Sequence, residues 1–545
     1  DRHIFTLLHP ILFQPHTLTS TPKPAIASST YRAENSATMF GLSDAHHTEI
    51  GAKKDALEVL KHVPNQLLIN GKFVDAKSGK TFAVYDPRTE EEIFRIAEAD
   101  AADVDDAVAA AREAFDHGPW PRMSGRARGR IIYKLADLIE RDLDMLATVE
   151  SLDNGKPLSV AKAADITLTI DHLRYFAGWA DKLEGKTIPT DGNHFAYTLV
   201  EPKGVVGQIV PWNFPALMMA WKIAPALACG NAIVLKPAEQ TPMSALIIGK
   251  LALEAGLPPG VLNILPGFGP TAGARLTSHP AVDKVAFTGS TEVGRIIMKS
   301  CAEHIKDVTL ELGGKSAMII GPTKDIDNAV DIAHFALFFN QGQVCTAASR
   351  LFVHESVYDE FCAKAAEYAR KRKVGDPFEA ETEQGPQIDN EQFEKILGYI
   401  ESGKEQGARL LTGGARVGKK GFYIQPTVFA DVKDEMKIAR EEIFGPVQSI
   451  LKWSTTEEVL RRANASEYGL AAGIVCDDIH LVNTLSRGLR AGTIWVNTYH
   501  VYDHGVPFGG YKMSGVGRDK GSAALAHYTN TKAVVHKLEG EQAWL

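Results

Sequence analysis

Cys345 follows the polar, glycine-containing turn Asn340-Gln341-Gly342-Gln343, which itself follows the apolar stretch Ala336-Leu337-Phe338-Phe339. That placement can expose a thiol at a helix end. Near its ordinary pKa of about 8.5 a thiol is only a few per cent thiolate at neutral pH, yet that thiolate attacks carbonyl carbon strongly. A cysteine taken alone is more often a small buried hydrophobe, so its partners decide. Pro211-Trp212-Asn213-Phe214-Pro215 and Glu311-Leu312-Gly313-Gly314-Lys315 each follow a strand-like run, and Glu442-Ile443-Phe444-Gly445-Pro446 lies further on. A carboxylate becomes a useful base when burial raises its pKa, and a carboxamide can donate to an oxyanion. Singly, Glu311 reads equally well as a surface carboxylate, and Asn213 as a helix cap.

Elements able to position these residues are visible in the pattern. Leu67 to Val74 reads as a hairpin turning at Asn70-Gly71. A helix follows that Asp103 can cap, with Val104, Val108, Ala111 and Phe115 on one face. From Val205 short apolar runs alternate with helical ones: Val205 to Val210, a helix from about Ala216, Ala232 to Leu235, Ser244 to Ala255, Val261 to Leu265, Val285 to Phe287, a helix from Thr291, and Val308 to Leu312. That order predicts a parallel sheet flanked by helices. A second α/β series begins after Gly313-Gly314 with Ala317 to Ile320, and includes a helix from Ser356 with Asp359 available for a capping box. Thr531 to Leu538 alternates weakly, as a strand would.

With 545 residues, 45% hydrophobic and 23% charged, the chain should fold into several domains. A net charge of −8 argues against nucleic-acid binding, and no apolar run reaches the roughly 18 residues of a membrane helix. Five scattered cysteines without metal-ligand spacing predict a reducing compartment and no metal site. Residues 1 to about 60 are expected to be a flexible tail. It resembles a transit peptide only weakly, and Met39 is an equally plausible start, which places cytoplasm above mitochondrial matrix.

The motifs around Asn213, Glu311, Cys345 and Glu442, in that order, resemble the aldehyde dehydrogenase superfamily from about Leu67 to Trp544, most closely its plant-type cytosolic and mitochondrial members. The resemblance implies an α/β fold with a Rossmann-type NAD-binding domain (61–183 and 202–313), an α/β catalytic domain (314–525) and a small β oligomerisation element (184–201 and 526–545). It implies NAD-dependent oxidation of an aldehyde to a carboxylic acid. Cys345 is then the nucleophile, the Asn213 amide and the Cys345 N–H hold the oxyanion, and Glu311 activates water to cleave the thioester.

For the cofactor, Phe287 through Val293 lead from a strand into a helix whose first N–H groups suit a pyrophosphate, with Ser290 as the contact. Gly267 to Gly273 has one residue too many for the dinucleotide fingerprint; the resemblance puts Gly269 and Gly273 near the adenine. By the same resemblance Lys236 and Glu239 sit on the adenosine ribose, where a glutamate favours NAD over NADP. Trp212, Leu312, Gln392, Glu442 and Phe444 complete the cofactor set. Phe214, Met218, Trp221, Phe339, Tyr502 and Phe508 are implied to line an apolar substrate route, suited to aliphatic or aromatic aldehydes more than charged ones. Lys222 and Asp519 match a pair assisting Glu311, although glutamate is the common residue at the second position. The family also implies a homotetramer built as a dimer of dimers. Two other activities fit parts of the pattern: a coenzyme A-acylating dehydrogenase, disfavoured by Glu311, and an NAD-independent cysteine esterase, for which no histidine is marked as partner.

Overall fold

The computed structural model describes residues 54–539. The expectations for residues 1–53, including Met39, and for 540–545 lie outside the described residues. The end of the expected tail is ordered: Lys54–Glu58 and Val59–His62 form helical turns, held because Ala56 and Val63 are buried.

Two sheets carry the molecule. The first has eight strands in the order Gly515–Val516, Asp307–Glu311, Lys284–Thr288, Val205–Ile209, Ala232–Lys236, Leu262–Ile264, Leu67–Ile69 and Lys72–Val74. The five strands between 205 and 311 run parallel and are mostly apolar, as expected of strands covered by helices on both faces. Val205–Ile209, Ala232–Lys236 and Lys284–Thr288 are buried at every residue. The predicted hairpin is present, and Asn70 and Gly71 take the positive φ values, 50° and 73°, that its two-residue turn requires. Gly515–Val516, far along the chain, crosses to pair antiparallel with Asp307–Glu311, Glu311 opposite Gly515.

The second sheet runs Arg409–Thr412, Thr427–Ala430, Val447–Trp453, Arg350–His354, Ala317–Ile320, Ala471–Val475 and Thr493–Val496, all parallel except the first. Its core includes Ile319, Phe352, Phe393, Leu451 and Ile474. In a third, three-stranded sheet, Thr529–Lys537 lies antiparallel along His194–Pro202, which pairs with Thr187–Ile188.

Two capping expectations need correction. The helix Ala101–Asp116 is capped by Asp100, and Asp103 is the reciprocal third residue of the capping box, its carboxylate accepting from the Asp100 N–H at 3.0 Å. The helix expected from Ser356 starts at Tyr358 without a side-chain cap, because His354 Nδ1 pairs with the Ser356 hydroxyl at 2.8 Å. No helix among the described residues is long and apolar enough to cross a membrane.

Candidate active site

The carboxyl ends of the five parallel strands converge on one edge, where ligands of open α/β sheets bind. Val205–Ile209 leads to Trp212 and Asn213, Ala232–Lys236 ends in Lys236, Leu262–Ile264 leads to Gly269, Lys284–Thr288 leads to Ser290, and Asp307–Glu311 ends in Glu311. Thr288 stands opposite Glu311 in the register.

Cys345 arrives from the second sheet. The helix Ile326–Phe338 stops where Asn340, Gln341 and Gly342 adopt left-handed backbone, φ 50°, 59° and 72°, and this reverses the chain before the strand Arg350–His354. At Gly342 a side chain would meet the Gly445 carbonyl, the Cβ lying 2.2 Å from its oxygen. Cys345 is part-exposed among buried neighbours. Desolvation, then the carboxylates of Glu442 and Glu311, push its thiol up to about 12. That leaves less thiolate at neutral pH than an ordinary free thiol carries.

Asn213 is held against the cysteine loop: its Nδ2 donates to the Gln343 carbonyl at 2.9 Å, and its own carbonyl accepts from Asn340 Nδ2 at 3.0 Å. A carboxamide has two N–H donors, and the Gln343 carbonyl takes one of them. Two residues that the sequence reading missed fix this loop from behind. Asn154 donates to the Trp212 carbonyl at 2.7 Å and Lys156 to the Asn213 carbonyl at 2.9 Å, while Lys156 also pairs with Asp165 and stands over the Phe214 ring. Their only sequence signal is a buried polar run, Asp153-Asn154-Gly155-Lys156, at a helix end that Gly155 closes with φ 84°.

Glu311 is buried, and one of its carboxylate oxygens has no hydrogen-bond partner. Desolvation, then the Asp519 carboxylate, holds its pKa well above the usual range against the opposing charge of Lys222. A Cβ on Gly509 would lie 2.8 Å from Glu311, so glycine there makes room for the carboxylate. Asp519 reaches Lys222 at 2.5 Å in a buried pair despite its shorter side chain, and its backbone exchanges hydrogen bonds with Phe508 at 2.7 and 2.8 Å.

The aromatic set assembles as a wall. Phe214 stacks on Phe339 at 6.0 Å, and Trp221, Tyr502 and Phe508 are mutual neighbours at 5.1–6.2 Å. Met218 is buried one helical turn before Trp221. His500 Nε2 donates to the Ala336 carbonyl, so its Nδ1 accepts from the Tyr502 hydroxyl at 3.1 Å; that hydroxyl also lies 2.7 Å from Thr346 Oγ1. Burial keeps His500 neutral, its pKa lowered to about 3. Neither His500 nor Thr346 was singled out from the sequence.

A profile of the aldehyde dehydrogenase family matches residues 73–534. The chain belongs to the aldehyde dehydrogenase family. It is 59% identical to the mitochondrial benzaldehyde dehydrogenase of Antirrhinum majus over 88% of this chain and 90% of that one. It is 57% identical to the mitochondrial aldehyde dehydrogenase of Homo sapiens, over 87% and 92%. The NAD+ complex of aldehyde dehydrogenase from Bacillus cereus superposes with a TM-score of 0.88 at 49% identity, covering 90% of this chain and all of that one.

In this aldehyde dehydrogenase the remaining predicted residues are each held by local contacts. Lys236 Nζ donates to the carbonyls of Gly267 (2.7 Å) and Pro237 (2.8 Å) and meets Glu239 at 3.2 Å. Ser290 caps the helix Thr291–Ala302, its hydroxyl accepting from the Val293 N–H. The Phe287 ring lies across Gly289, and Leu312 packs on Gly294. Glu442 accepts from the Gly314 N–H at 2.9 Å, with its pKa raised by burial to about 7. Trp212 and Phe444 meet edge to face at 5.2 Å. Gln392 holds the Ile443 and Phe444 carbonyls at 3.0 and 2.9 Å, and so acts on Phe444 through the backbone.

Proposed function

We propose that this aldehyde dehydrogenase oxidises aldehydes to carboxylic acids with NAD through a covalent intermediate on Cys345. The observation that carries this is the meeting, at one sheet edge, of an Asn213 amide tied to the nucleophile loop and a buried Glu311 with an unpartnered oxygen.

The residues present fit a dinucleotide. Thr288 Oγ1 is buried without a partner, Gly269 faces open space, and Phe268 and Val293 leave apolar surface exposed for an adenine. Lys236 and Glu239 would hold the adenosine ribose, Ser290 and the helix start at Thr291 the pyrophosphate, and Glu442 the second ribose, with Trp212, Phe287, Leu312 and Phe444 flanking and Gly273 giving close approach. When bound, NAD supplies the acceptor for the aldehyde hydride.

The Cys345 sulfur bonds to the aldehyde carbon as its proton passes to a base. The alkoxide accepts hydrogen bonds from Asn213 Nδ2 and the Cys345 N–H. After oxidation Cys345 carries a thioester, and Glu311 takes a proton from water as its oxygen attacks the acyl carbon, releasing the acid and the thiol. Lys222 and Asp519 set the charge around Glu311. NADH formation, followed by absorbance over a panel of aliphatic and aromatic aldehydes, tests the reading; no NADH with any of them overturns it.

Residues 61–183 with 202–313 serve as the cofactor-binding domain and 314–525 as the catalytic domain. The three-stranded sheet exposes Phe195 and Leu199 on one face and Ile188 and Val535 on the other, apolar surface suited to a second copy and to the expected homotetramer; a monomeric mass by light scattering overturns this. The relatives from Antirrhinum majus, Arabidopsis thaliana and Homo sapiens all carry "mitochondrial" in their names. On that ground we place this chain in the mitochondrial matrix, ahead of the cytoplasm that its sequence suggested. Residues 1–60 fused to a fluorescent protein should direct it to mitochondria; a diffuse cytosolic signal contradicts the placement.

A further inference from the structure

Against Trp221 in the aromatic wall sits a group of nitrogen bases that the reaction does not use. Lys520 is 1% exposed, and the contacts of its ammonium are with the faces of two rings. It stands 5.1 Å from the centre of the Trp221 ring and 5.2 Å from that of Tyr502. His172, fully buried, lies 6.2 Å from Trp221 ring to ring, and its Nε2 has no partner. Its Nδ1 is 3.2 Å from Nδ1 of His504.

Two carboxylates are near Lys520 and both are engaged elsewhere. Asp519 is bound to Lys222 at 2.5 Å, and Asp503 accepts from the Gly505 N–H at 2.8 Å. Ring faces return only part of the hydration that a buried ammonium loses. Burial accordingly lowers Lys520 to about 7 and His504 to about 4, and holds His172 well below its ordinary value. An ammonium met by ring faces, beside an imidazole nitrogen without a partner and against two rings of the substrate wall, is what a site looks like when its acceptor is brought by the ligand.

We propose that Lys520, with His172, reads an oxygen acceptor at the far end of the aldehyde, a carboxylate in preference to a hydroxyl, so that semialdehydes with an aromatic or apolar spacer are favoured over unsubstituted aldehydes. This rests on the assignment of Trp221 and Tyr502 to the substrate route, and for aldehydes with a distal carboxylate it reverses the expectation that charged aldehydes are disfavoured. Lys520 is a specificity residue here and takes no part in the bond changes at Cys345.

The test compares benzaldehyde, 4-hydroxybenzaldehyde and 4-carboxybenzaldehyde with the full-length enzyme and with Lys520→Met and Lys520→Arg. The ratio of kcat/KM for 4-carboxybenzaldehyde to that for benzaldehyde should fall about tenfold in Lys520→Met, through KM, recover in Lys520→Arg, and fall less for the hydroxyl compound. An unchanged ratio, or an equal loss on all three aldehydes, overturns the proposal. Binding of terephthalate and benzoate to the unaltered protein, read by tryptophan fluorescence, needs neither a variant nor turnover. Terephthalate should bind several-fold more tightly, and benzoate binding as well or better overturns the proposal. Benzaldehyde turnover by the unaltered enzyme reports separately on the proposed function.

Discussion

Asn213 donates its side-chain N–H to the carbonyl of Gln343, two residues before Cys345, at 2.9 Å. The two residues are 130 positions apart, in segments outside the strands, so this hydrogen bond, with the one from Asn340 Nδ2 to the Asn213 carbonyl, sets the position of the proposed oxyanion donor relative to the proposed nucleophile.

Replacing Asn213 by alanine removes that donor and the tie together. The expected cost is about 3 kcal/mol of transition-state stabilisation, on the order of a hundredfold or more in kcat. Steady-state NADH formation measures it; a loss confined to KM would assign Asn213 to ground-state binding.

Glu311→Gln keeps the volume and removes the base. One equivalent of NADH per active site should appear as a burst, followed by slow turnover, with an acyl group on Cys345 visible by intact mass. Unchanged steady-state turnover would remove Glu311 from the hydrolytic step.

The thiol of Cys345 is pushed up to about 12 and Glu311 is raised as well. A raised pKa keeps each group protonated to higher pH, so the thiolate and the free base both accumulate as pH rises. Without NAD, alkylation of Cys345 by iodoacetamide should therefore be slow at pH 7 and accelerate about tenfold per pH unit up to pH 10. A plateau already reached near pH 8 would contradict the shift.

Glu239 beside Lys236 predicts discrimination against a 2′-phosphate. Glu239→Gln should raise kcat/KM with NADP relative to NAD by about tenfold, measured with one aldehyde at saturation. An unaltered ratio would place the selectivity elsewhere.

Much of the fold was readable because parallel strands covered on both faces leave continuous apolar runs: Val205–Ile209, Ala232–Lys236 and Lys284–Thr288 fall within a residue or two of the expected segments. Caps were misplaced where several polar residues compete locally, as with Asp100 and Asp103, or where a histidine captured the serine, as at His354 and Ser356. The short strand Gly515–Val516 could not be read, since its place depends on pairing with a segment two hundred residues earlier. At the site, Asn213, Glu311 and Cys345 were found through motif order, which carries chemistry. Asn154 and Lys156 were missed because they act through backbone carbonyls of Trp212 and Asn213, and a carbonyl leaves no mark on the sequence. Lys520 was missed because a lysine in a polar stretch reads as a solvated charge until its burial against Trp221 is seen.

The central claim is that the Cys345 sulfur forms the bond to the aldehyde. Cys345→Ser should bind NAD with unchanged affinity, measured by calorimetry, and produce no NADH from an aldehyde that the unaltered enzyme oxidises. NADH formation by Cys345→Ser at the unaltered rate would contradict the account.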